Sequence, residues 1–65
     1  MYTFRKELVS RINQVYVIEV YEETEEEIIY IAGYSHSLKN GKIKELSNDK
    51  NIDFTEYEDF KNLTK

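Results

Sequence analysis

Residues Val15 to Tyr34 read VYVIEVYEETEEEIIYIAGY, and the parsing of this stretch decides the fold. Tyr16, Ile18 and Val20 recur with period two, as do Val15, Val17 and Tyr21, with Glu19 between them. That alternation predicts a strand from Gln14 to Glu23 with two largely apolar faces. Glu22 to Glu27 supplies five glutamates and Thr24, which reads as a turn. Ile28 to Tyr34 is a second run of β-branched and aromatic residues. It is read with Ile29 and Ile31 on one face and Ile28, Tyr30, Ala32 and Tyr34 on the other. The two runs predict an antiparallel hairpin, with Glu19 and the glutamate tip on a solvent-facing edge.

Working outward, Ser35 to Gly41 reads as a loop ending in the turn dipeptide Asn40-Gly41, whose residues tolerate positive φ. Lys42 to Leu46 is a short third strand. Near the C-terminus, Thr55 and Glu58 have capping-box spacing, with Thr55 as N-cap. Glu56, Glu58 and Asp59 fall where a helix N-terminus favours anions, and Tyr57, Phe60 and Leu63 or Thr64 form the core-facing stripe. Toward the N-terminus, Phe4, Leu8 and Ile12 at i, i+4, i+8 predict a helix over residues 3–12 with Thr3 as N-cap. The rival reading is a strand carrying Tyr2, Phe4 and Leu8 on one face, an alternation that Lys6 interrupts. The expected fold is therefore α+β: a small antiparallel sheet of about three strands, a C-terminal helix and a candidate N-terminal helix, in one domain over residues 1–65.

Composition limits the chemistry. The 65 residues contain no cysteine and one histidine, His36, so disulfides, thiolate metal sites and multi-histidine sites are excluded. His36 lies between Ser35 and Ser37 and is read as a solvated loop residue, not as the base of a nucleophile pair. Gly33 and Gly41 stand apart, so no phosphate-cradling loop exists, and the glutamate run lacks the Asp/Asn spacing and glycine of a calcium loop. No catalytic residue, cofactor or metal is expected. The longest apolar run, Ile28 to Ala32, is far short of a membrane span, and charges at Arg5, Lys6, Glu7 and Arg11 break any leader-like apolar segment. The expected setting is the reducing cytoplasm, and two apolar faces on one strand raise the expectation of a homodimer.

Charge is the remaining signal. The net charge is −4, with acidic residues grouped over Glu19 to Glu27 and Asp49 to Asp59. Carboxylates interleaved with tyrosines suit a partner that carries a basic groove. The expected contact residues are Glu22, Glu23, Glu25, Glu26, Glu27, Tyr34, Glu56 and Asp59. A rival surface is the cluster Lys39, Lys42, Lys44 and Lys50, which with nearby aromatics would serve direct nucleic-acid binding. An acidic chain makes that the weaker reading, because phosphate contacts normally supply most of the affinity.

The segment Ile29-Tyr30-Ile31-Ala32-Gly33-Tyr34, followed after a polar loop by Asp53-Phe54-Thr55-Glu56-Tyr57-Glu58-Asp59-Phe60, resembles small proteins of Gram-positive phages and mobile elements. The resemblance covers roughly residues 15 to 63 and transfers no functional residue. It implies a bacterial host cell and a role in occupying a host protein, as anti-CRISPR proteins and anti-restriction DNA mimics do. The resulting expectation is a non-catalytic inhibitor of a host nucleic-acid-handling protein.

Overall fold

The computed structural model describes all 65 residues. Four strands run in chain order across one antiparallel sheet: β1 (Tyr2–Ser10), β2 (Val15–Glu23), β3 (Ile28–Ser37) and β4 (Ile43–Asn48). A 3-10 turn (Phe54–Glu56) and a short helix α1 (Glu58–Leu63) close the chain. The molecule is elongated, 38 × 20 × 19 Å.

The hairpin forms as read, with Ile18 opposite Tyr34 and Val20 opposite Ala32. One face of the sheet holds Tyr2, Phe4, Lys6, Leu8, Tyr16, Ile18, Val20, Ala32, Tyr34 and His36, as the paired registers require. The helical segment lies on this face. Phe54 and Phe60 join Ile18, Val20, Ile31, Ala32 and Tyr34 in the buried core, with Tyr2, Phe4, Ile52 and Leu63 packed around it. Edge-to-face contacts bind the two layers: Tyr34 to Phe60 at 5.0 Å and Tyr2 to Phe54 at 5.0 Å between ring centroids.

Six expectations are corrected. Residues 3–12 do not form a helix, and the sheet has four strands where about three were expected, because residues 2–10 are β1. The spacing of Phe4 and Leu8 fits both periods. The strand wins because Phe4 then meets Phe54 and Phe60 across the layers. Lys6, which broke the apolar alternation, fits the same face because its ammonium donates to the Leu63 carbonyl at the helix C-terminus, 2.7 Å away. It also lies 4.5 Å from the centroid of the Tyr16 ring, so it is both hydrogen-bonded and packed.

Glu19 is not on an edge: β2 is an interior strand, and Glu19 sits between Arg5 and Gly33. Nor do Tyr30 and Ala32 share a face. A bulge between Val20/Ala32 and Tyr21/Tyr30 leaves Ile31 as the extra residue and turns Tyr30 to the opposite side. There its ring lies 5.6 Å from that of Tyr21 and covers Gly33, where any Cβ would collide with the Tyr30 hydroxyl.

His36 is not in a loop. Strand β3 continues through Ser37, and His36 is 5% exposed. Finally, Thr55 does not cap the helix. Asp53 caps the preceding 3-10 turn by accepting the Thr55 N–H, and α1 starts three residues later with Tyr57 as an N-cap that makes no side-chain bond.

Candidate functional site

The site follows from how the sheet's two ends are closed. At one end the β2–β3 turn is set by Thr24, whose hydroxyl accepts the Glu26 and Glu27 N–H groups while its own N–H donates to the Glu27 carbonyl at 2.9 Å. The tip is thereby ordered, and Glu23, Glu25, Glu26 and Glu27 stand exposed around it. Glu22 pairs with Tyr2 across the sheet, and the Tyr2 ring lies 6.0 Å from that of Tyr57 at the helix start. Lys50, in the turn after β4, approaches Glu22 at 3.6 Å. The glutamate tip, the 49–53 turn and the helix N-terminus therefore occupy one end of the molecule.

That end collects Glu22, Glu23, Glu25, Glu26, Glu27, Asp49, Asp53, Glu56, Glu58 and Asp59. Of the other three of the chain's 13 acidic residues, Glu7 and Glu19 lie on the outer face of the sheet, and Glu45 lines a concavity with Asp53 at the border of this end. Two carboxylates have ion partners: Glu22 with Lys50, and Glu56 with Lys61 at 3.6 Å. Both pairs are solvent-exposed and so worth little in stability. The others face water with no ion partner, so the end as a whole carries a negative field.

The opposite end is basic. The β1–β2 turn, with Arg11, is tied to the β3–β4 turn through the Leu38 N–H donating to the Gln14 carbonyl at 2.9 Å. Lys39 and Lys42 flank Asn40 and Gly41 in that second turn. Gly41 has φ of 70°, and Asn40 accepts the Lys42 N–H, as the turn dipeptide requires. Lys44 follows one step along β4.

Of the expected contact residues, the structure brings seven together: Glu22, Glu23, Glu25, Glu26, Glu27, Glu56 and Asp59. Tyr34 lies apart from them, 2% exposed in the core. Its hydroxyl donates to Glu45 at 3.3 Å and accepts from Asn48, which also reaches the Ile52 carbonyl at 2.7 Å. Burial and the neighbouring Glu45 charge push the Tyr34 phenol up to about 12. Tyr34 thus anchors the 49–53 turn that presents Asp49 and Asp53. Two exposed aromatics stand at the acidic end: Tyr57, 37% exposed, at the helix start, and Tyr30, 42% exposed, beside the tip on the opposite face of the sheet.

Sequence reading missed the grouping of Arg11 with Lys39 and Lys42, since only strand pairing brings those turns together. It also missed His36 as a core residue. The usable signal was that Ala32, Tyr34 and His36 continue one period-two series.

No group of three or more His, Cys, Asp or Glu side chains is placed to hold a metal ion. No helix is long and apolar enough to cross a membrane. The widest concavity, about 360 Å³, is lined by Arg5, Lys6, Glu7, Glu19 and Tyr21, all but Lys6 on the face away from the helix. Compared with known proteins, the chain matches no family model, no curated sequence and no solved structure.

Proposed function

We propose that this chain is a non-catalytic binding protein of phage or mobile-element type, which docks its acidic end into the basic groove of a host nucleic-acid-handling protein. The observation that supports this reading is the convergence of the tip glutamates and the helix N-terminal carboxylates on one end, with two weak ion pairs to offset them. A field of that kind raises the association rate with a basic groove and imposes orientation. Glu23, Glu25, Glu26 and Glu27 form its outer rim, Glu56 and Asp59 its inner side, and Tyr57 supplies an aromatic contact.

The test is affinity capture from a Gram-positive host lysate at low and high salt, with wild-type bait and with Glu25→Lys/Glu26→Lys/Glu27→Lys. The expected result is one nucleic-acid enzyme retained at low salt, released at high salt and lost with the triple variant. With the isolated partner, the variant should lower the association rate by about ten- to a hundredfold. Equal capture by both baits would sink the proposal.

A second reading rests on the basic end. Arg11, Lys39, Lys42 and Lys44 form a positive surface that could contact a phosphate backbone. A gel shift with duplex DNA at low salt, abolished by Lys39→Glu/Lys42→Glu and untouched by the tip variant, would favour it over the acidic-end reading.

A further inference from the structure

We infer that β1 is a self-association edge, on which a second copy of this chain adds its own β1 antiparallel to form a continuous eight-stranded sheet about a two-fold axis at Lys6. Phase comes first. The Glu23 N–H donates to the Met1 carbonyl at 2.8 Å, and the β1–β2 register runs without a shift from Tyr2 to Leu8. In an antiparallel ladder the hydrogen-bonded pairs alternate. Thr3, Arg5 and Glu7 therefore bond to β2, while Tyr2, Phe4, Lys6 and Leu8 point their N–H and C=O groups away from the sheet.

The two edges of the sheet differ. β4 is six residues long, is interrupted by a register shift between Gly33/Ser47 and Tyr34/Glu45, and is followed by a turn held by Asn48. Such features blunt an edge. β1 is nine residues long, contains no proline, and meets its bulge only past Leu8.

Charge selects the occupant and the register. Arg5 and Glu7 are exposed on the same face, and neither has an ion partner. Pairing centred on Lys6 places Arg5 of one copy opposite Glu7 of the other, twice by symmetry. Centring on Arg5 would set two arginines face to face, and centring on Glu7 two glutamates.

The Lys6-centred register also places Leu8 of the second copy opposite Phe4. Leu8 is 41% exposed in the monomer. Beside Phe4, between β1 and α1, lies a groove of about 240 Å³ lined by Phe4, Asp59, Asn62 and Leu63, which has room for a leucine side chain. The two lysines at the axis are each turned toward their own Leu63 carbonyl and Tyr16 ring, which draws their charges apart. The three pairs Lys6–Lys6, Phe4–Leu8 and Leu8–Phe4 offer about six backbone hydrogen bonds, two per pair.

Sedimentation equilibrium of the full chain from about 10 µM to about 1 mM, joined to amide hydrogen exchange at both limits, tests this. The expected result is a concentration-dependent monomer–dimer equilibrium in which the amides of Phe4, Lys6 and Leu8 become protected in the dimer. Arg5→Glu alone and Glu7→Arg alone should each weaken association at least about tenfold. Mixing the two variants should restore it, because each then supplies the charge the other lacks. Leu8→Pro, whose lost N–H serves no intramolecular bond, should abolish association while leaving the circular dichroism of the monomer unchanged. A monomer throughout the range overturns the inference. So does a dimer in which those three amides stay unprotected, or one that neither charge variant weakens.

Discussion

The same four strands support two unlike halves. At the acidic end the inner face is roofed by Phe54 and Phe60, and Ile18, Val20, Ala32 and Tyr34 beneath them are at most 2% exposed. At the basic end the same face, one or two pairs further along, is bare: Leu8 and Ile43 are each 41% exposed. Strand pairing is continuous through both halves, so pairing alone does not make a core. The difference is one 3-10 turn and six residues of helix carrying two phenylalanines. Burial on this sheet is thus decided by how far a short roof reaches, and the roof is held to the acidic end by aromatic contacts with Tyr2, Phe4 and Tyr34.

Removing one roof phenylalanine should erase the contrast between the two halves. Phe60→Ala or Phe54→Ala removes half of the roof. A buried Phe→Ala change costs about 3–5 kcal/mol. A domain of this size has roughly 5 kcal/mol to lose. Either variant should be largely unfolded at 37 °C in thermal melts followed by circular dichroism. Leu8→Ala and Ile43→Ala, on the bare half of the same face, should each cost less than about 1 kcal/mol. If all four variants melted alike, the roof would not be what separates the halves.

A smaller effect sharpens the boundary between the halves. Lys6 sits where the roof ends, and its ammonium closes the helix C-terminus through the Leu63 carbonyl. Lys6→Met keeps the stem but loses this bond and the contact with Tyr16. The expected cost is about 1 kcal/mol. That corresponds to a fall in Tm of about 4–8 °C for a domain of this length. An unchanged melting curve would mean that the helix needs no C-terminal donor.

How much of this was legible follows from the same contrast. The hairpin could be read because period-two alternation is a local property of Val15 to Val20. The existence of a C-terminal helix was also local, since Phe60 and Leu63 repeat at helical spacing, but its start lies three residues past the Thr55 cap that was expected. β1 could not be read, because Phe4 and Leu8 satisfy two periods and only Phe54 and Phe60, some fifty residues away, decide between them. The side of the sheet on which Tyr30 falls was equally hidden, since a bulge at Ile31 is a property of the pairing and not of either strand. Among the contact residues, the carboxylates were legible as exposed because nothing in a small core could hold them. Tyr34 was misjudged because a tyrosine serves either a surface or a core, and its Glu45–Asn48 network joins segments that become neighbours only after folding.

The last and most specific test concerns His36, the one polar side chain buried in the otherwise bare half. Its Nδ1 has no hydrogen-bond partner, and burial, followed by the nearby Lys6 charge, lowers its pKa from the ordinary 6.5. The folded state therefore favours neutral imidazole, and the unfolded chain takes up the proton first as pH falls. Stability from this source is complete above pH 6.5 and declines below it. Thermal melts between pH 7.5 and 5.5 should show Tm falling with pH. His36→Leu removes both the titration and the orphan nitrogen. It should flatten that slope at little cost in stability at pH 7.5, because an unsatisfied polar group is replaced by an apolar one. Lys6→Met should leave a shallower slope, since burial, the larger cause, remains. A wild-type Tm constant across the window would show that the imidazole takes up its proton without penalty, so that the basic end of the sheet opens readily and His36 belongs to the exposed half after all.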